Sequence, residues 1–164
     1  MMRALAALAL GLLAVVARPA VADPVPQLEA DLGLAVVDIA YEHPIAKHES
    51  VGVEAGIFGT YFLPWFSAGD AATGVGGGVR VSWFSGKEGR GLYVTPFFRA
   101  ADVGASGHTG LALSGGAFAG YAFMLTRKLD LRVGGGLQYI HYNFADTRAS
   151  TPFVALDLVV GYRL

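Results

Sequence analysis

Val154-Ala155-Leu156-Asp157-Leu158-Val159-Val160-Gly161-Tyr162-Arg163-Leu164 closes the chain. Val154, Leu156, Leu158, Val160, Tyr162 and Leu164 fall on one side of an extended backbone; Ala155, Asp157, Val159, Gly161 and Arg163 fall on the other. Successive side chains of a strand point to opposite faces, so this pattern predicts a strand with one apolar and one weaker face.

The same period recurs towards the N-terminus. Leu129 to Tyr139 alternates Leu, Val and Tyr against Asp130, Arg132, Gly134, Gly136 and Gln138. Leu111 to Phe123, Val75 to Phe84 and Val51 to Phe58 behave likewise, and Gly91 to Arg99 less cleanly, with Leu92, Val94 and Phe98 opposite Tyr93, Thr95, Phe97 and Arg99. Leu28 to Tyr41 alternates too, with a phase shift near Val36-Val37 that predicts a β-bulge. These segments run about 10 to 14 residues, against about 5 or 6 for strands of soluble proteins and about 9 to 11 for a tilted strand crossing a bilayer. Length therefore favours a membrane barrel over a soluble sandwich.

The N-terminus carries a different pattern. Arg3 precedes the apolar run Ala4 to Ala17, Arg18 and Pro19 end it, and Ala20-Val21-Ala22 supplies small residues at a cleavage site. Residues 1–22 read as a cleaved secretory signal peptide, because the run is shorter than the roughly 20 residues of a spanning helix. The remaining residues, 23–164, form one domain with 10 basic and 13 acidic residues. That balance, without any Lys/Arg cluster, excludes a nucleic-acid footprint. The chain has no cysteine, so it has neither a disulfide framework nor a thiolate metal site.

The expected fold is all-β: a single closed antiparallel up-and-down transmembrane barrel. Seven segments are clear, and closure with an even strand number requires eight. Short, charged connections at His43 to Ser50, Ser85 to Gly91 and Met124 to Lys128 mark one rim. Leu63 to Ala72, Asp102 to His108 and Asn143 to Pro152 are expected to be longer loops at the other. Aromatics gather near both rims. Tyr41, Trp83, Tyr121 and Tyr162 form one expected girdle; Tyr61, Trp65, Tyr139 and Phe153 form the second.

The weaker faces carry Glu42, Glu54, Arg80, Arg99, Arg132, Gln138 and Asp157, with Asp38 beside them. Buried charges must be paired or wet. A narrow eight-strand lumen is filled by side chains, so a nearly balanced plug of arginine–carboxylate ion pairs is expected. A charged constriction in a narrow pore for small or apolar solutes is the alternative.

Asp157 to Leu164 resembles the terminal-strand signal read by the barrel-assembly machinery. That signal ends in an aromatic; here Leu164 is last and Tyr162 stands two before it. The mature chain as a whole resembles small outer-membrane barrels of the OmpA/OmpX/OmpW type and outer membrane protein beta-barrel domain proteins. The resemblance implies a location in the outer membrane, contact with its lipid and lipopolysaccharide, the assembly machinery as a partner in biogenesis, and a monomer. It implies location more than activity.

Little chemistry is expected. Ile140-His141-Tyr142 resembles the His-x-Ser motif of lipid A deacylating barrels, but Asn143 stands where that motif has serine. Nucleophilic catalysis needs a nucleophile within reach of its base, so no enzyme is expected. His43 and His48, near Glu42 and Glu49, lack the helical spacing that fixes a metal. Gly74 to Gly78 and Gly134 to Gly136 lack the Lys-Ser/Thr of a phosphate loop. No metal and no cofactor are expected. The expected role is structural or surface-interacting; a soluble lipocalin-like binder would need the two faces of every strand reversed.

Overall fold

The computed structural model describes residues 25–59, 73–105, 107–144 and 147–164. The expected signal peptide, Tyr61, Trp65 and the segment 63–72 lie outside the described residues.

Eight strands form one closed antiparallel barrel in sequence order. They are β1 (Gln27–Leu32), β2 (Val36–Ala46), β3 (Glu49–Gly59), β4 (Thr73–Phe84), β5 (Gly91–Ala105), β6 (His108–Met124), β7 (Leu129–Phe144) and β8 (Thr147–Arg163). Closure comes from β1 pairing with β8, Leu28 opposite Tyr162 and Ala30 opposite Val160.

The missing eighth strand lies inside Leu28 to Tyr41. The phase shift expected to be a bulge is a turn: Gly33 donates its amide to the Val36 carbonyl at 2.8 Å, and residues 33–35 reverse the chain between β1 and β2. An odd number of intervening residues flips the parity of the alternation, as a bulge would. Hence Leu28, Ala30 and Leu32 share the outward face with Val37, Ile39 and Tyr41.

The register fixes the shape. Asp31 faces Val159 on one side. Followed the other way through Asp38, Gly56, Gly76, Ala101, Ala112 and Tyr142, it returns to β8 at Ala149, ten residues from Val159. At ~3.3 Å per residue and ~4.8 Å between strands, this stagger tilts the strands about 40° from the barrel axis.

Both ends of the described barrel and the connections 47–48, 85–90 and 125–128 lie at one rim, here the near rim. Residues 33–35 turn at the far rim, where β3, β5 and β7 end and β4, β6 and β8 begin. The expected contrast in loop length is corrected here. β5 and β6 extend to Ala105 and His108, and β7 and β8 to Phe144 and Thr147, so two of the three expected long loops are tight connections. Gly104, Ala105, Thr147, Ala149, Ser150 and Thr151 of those segments belong to strands.

The distribution of side chains is inverted relative to a soluble protein. Ile39, Ile57, Val75, Leu92, Leu137 and Val154 are exposed, while Asp31, Glu54, Arg80, Arg99, Asp130 and Arg132 are buried. Among outward strand positions whose side chains are described, the only acidic or basic residues are Glu49 and Asp102, each close to a strand end. This is the reverse of the arrangement a lipocalin-like binder needs.

Candidate functional site

The lumen is layered. Its middle is an ionic core built around three arginines from β4, β5 and β7. Arg80 pairs closely with Glu29 and lies 3.3 Å from Asp31 Oδ2, 3.7 Å from Glu54 Oε2 and 3.8 Å from Glu42 Oε2. Arg99 clasps both oxygens of Glu54 and donates through Nη2 to Asp31 Oδ2 at 3.0 Å. Arg132 donates to both oxygens of Glu42 at 2.7 Å and approaches Glu29 Oε1 at 2.9 Å. Ser50 adds a hydroxyl donor to Glu42 at 2.7 Å. Charge-assisted bidentate pairs of this kind are short and directional.

Neighbouring rings and glycines shape the space. The Arg99 guanidinium lies over the Phe97 ring at 4.7 Å, and that ring stacks on Phe118 at 4.4 Å. Arg132 lies over Phe84 at 4.8 Å. Arg80 crosses Gly52, where a Cβ would stand 2.9 Å from its Cγ and Nε. Tyr93 donates to Asp157 and lies against Gly134, where a Cβ would stand 2.3 Å from its hydroxyl. Side chains from one part of the wall thus fill space that inward glycines leave on another.

Towards the near rim Arg163 donates to Asp130 at 2.7 Å and to the Glu88 carbonyl at 2.8 Å, tying the last strand to the β4–β5 connection. Towards the far rim the lumen turns apolar. Val36, Phe58, Ala101, Ala112, Ile140 and Tyr142 form a cup, with Phe153 packed against them. The cup opens into a small pocket that Arg99 and Phe118 also line.

Of the seven residues expected in the lumen network, Glu42, Glu54, Arg80, Arg99 and Arg132 meet in it. Gln138 does not join them; it donates to the Val154 carbonyl at 3.2 Å beside the cup. Asp157 is bound by the Tyr93 hydroxyl instead of an arginine. Glu29 and Asp31 were hidden by the merged first hairpin; Asp130 and Arg163 lie at strand ends, on the faces their parity already gave. The expected near balance of charge is corrected: among the described residues the buried carboxylates are Glu29, Asp31, Asp38, Glu42, Glu54, Asp130 and Asp157, against Arg80, Arg99, Arg132 and Arg163.

Of the expected girdle, Tyr41, Trp83, Tyr121 and Tyr162 are exposed near the near rim, with Phe123 among them. Lys128 Nζ lies 3.2 Å from the Tyr162 hydroxyl. Tyr139 is exposed on the far half of β7. Phe153 is corrected: it shares parity with Ala155 and Asp157, so it points into the cup. Leu164 ends the chain exposed, beyond Tyr162.

Two polar features outside the lumen also differ from the sequence reading. His48 donates through Nδ1 to the Gly86 carbonyl at 2.9 Å, while His43 lies 3.3 Å from the Tyr41 hydroxyl. Ser150 stands opposite His141 on β8, its Oγ 2.5 Å from His141 Nδ1. A hydroxyl therefore does lie within reach of His141, supplied by the facing strand. Among the described residues no carboxylate hydrogen-bonds that imidazole, the contact by which the third group of a hydrolytic triad acts.

Comparison with family models, with curated proteins and with solved structures finds no match.

Proposed function

We propose that this chain is an integral outer-membrane β-barrel whose lumen is closed by its ionic core, with a structural or surface-interaction role in the envelope. The observation that carries the reading is the inverted distribution of side chains around a closed barrel. A contiguous apolar exterior of this extent is a membrane or partner surface. Its height fits a membrane. From Leu129 to Tyr139 the outward face of β7 is uncharged over ten residue steps, which at ~3.3 Å per residue and a tilt of about 40° spans ~25 Å, the height of an outer-membrane barrel's apolar band.

The near-rim aromatics support an interfacial position for that rim. Both ends of the barrel lie there, as they do on the periplasmic side of such barrels. In this reading Tyr162 and Leu164 present the terminal-strand signal to the assembly machinery, and the far-rim connections face lipopolysaccharide and the outside.

The cup at the far rim favours a second reading, a narrow pore for small apolar solutes. Passage would require the Arg80, Arg99 and Arg132 contacts to part, which exposes buried charges to each other and to the solute. Planar-bilayer recording of the reconstituted protein distinguishes the two. A closed plug gives no stable conductance steps; reproducible steps would establish the pore instead.

A further inference from the structure

We propose that the lumen holds a hard divalent cation of the calcium class, bound by Asp31, Asp38 and Glu54. One oxygen from each of these carboxylates lies within 4.8 Å of the others, and all three side chains are buried. A cation between them is coordinated by carboxylates from β1, β2 and β3, whose pairing holds the three backbones together.

Two further observations set this cluster apart from an ordinary acidic patch. Asp38 is only 4% exposed, and neither of its carboxylate oxygens accepts a hydrogen bond. Among the described residues its one salt-bridge contact is with Arg99 Nη2, a long 3.6 Å from Oδ2. Asp31 uses Oδ2 for Arg80 and Arg99 and leaves Oδ1 without a hydrogen bond. Burying a carboxylate charge without a compensating partner is strongly unfavourable. The arginines do not cover the deficit: buried carboxylates outnumber them seven to four among the described residues.

The donor set selects the ligand class. All donors are carboxylate oxygens and, among the described residues, no histidine joins them, which suits calcium or magnesium over zinc or copper. Calcium tolerates irregular oxygen cages, whereas magnesium demands near-ideal octahedral geometry. Arg99 and Arg80 contact the same cluster through Asp31 Oδ2 and the Glu54 oxygens, and Arg99 also approaches Asp38 Oδ2, so the ion sits towards Asp31 Oδ1 and Asp38 Oδ1, with Glu54 sharing an oxygen between it and the arginines. Val36, two residues from Asp38 on the same inward face, lines the far-rim cavity, so entry runs through the cup.

The test is equilibrium dialysis of the folded, chelator-stripped full chain in detergent against radioactive calcium. Stoichiometric binding is expected, weakened about tenfold or more by Asp38→Asn and unchanged by Asp102→Asn, which alters an outward carboxylate. Absence of binding, or equal binding by Asp38→Asn, overturns the site. Should Asp38→Asn fail to fold, infrared difference spectra of the unaltered protein decide. A calcium-dependent shift of the carboxylate stretch supports the site. A protonated carboxyl band that calcium leaves in place means protons neutralise the cluster, and overturns it.

Discussion

Arg132 on β7 meets Glu42 on β2 as a two-pronged fork, Nη1 and Nη2 each 2.7 Å from a separate carboxylate oxygen, although 90 positions separate the two residues. β1 and β8 lie between their strands, so the pair ties the barrel across its closure. Removing one partner strands a buried charge. Arg132→Ala is expected to lower stability by about 3–5 kcal/mol, read as the urea midpoint in lipid vesicles. A loss below about 1 kcal/mol, the value of an exposed pair, would show the lumen to be wet.

Gly134 gives Tyr93 its place. A methyl there would meet the Tyr93 hydroxyl and stand 2.9 Å from the Ala119 carbonyl. Gly134→Ala is expected to cost about 1–3 kcal/mol as overpacking. Tyr93→Phe removes the obstructing hydroxyl, so the two changes together should cost less than their sum. Strict additivity in a double-mutant cycle would mean the ring does not rest on Gly134.

The outer face separates a bilayer from water. Leu137 is 70% exposed midway along β7. In a bilayer Leu137→Arg should cost about 2–4 kcal/mol, and Thr109→Arg near the far rim about 0–1 kcal/mol. In a soluble protein both changes would stay within about 0.5 kcal/mol. Folding titrations of the two variants side by side in vesicles give the comparison.

His141 and Ser150 form a cross-strand hydrogen bond without an orienting acid among the described residues. His141→Ala is expected to change stability by no more than about 0.5 kcal/mol and to leave lipid A acylation as it is, checked by mass spectrometry of cells expressing each form. Loss of an acyl chain that depends on both residues would make the pair catalytic.

Period two made most of the barrel legible before any coordinates. From Val51 to Leu164 the alternation separates the outward from the inward residues, and it put Glu54, Arg80, Arg99 and Arg132 on one face. It failed where local signals were weak. Gly33-Leu34-Ala35 carries no Pro, Asn or Asp, and a three-residue turn shifts parity just as a bulge does. Merging β1 with β2 hid Glu29 and Asp31, and with them the excess of buried acid. Phe153 went astray for another reason: nearness to a rim says nothing about the face, which its parity with Asp157 already gave. The Ser150–His141 contact depends on strand pairing, which no local pattern encodes.

The apolar exterior and charged interior support the proposal that this barrel sits in the outer membrane. Fractionation of cells expressing the chain, with the envelope extracted by alkaline carbonate and run on gels with and without heating, tests it most directly. The account predicts recovery in the carbonate-resistant outer-membrane fraction and faster migration of the unheated protein. Release into the soluble periplasmic fraction without detergent would contradict it.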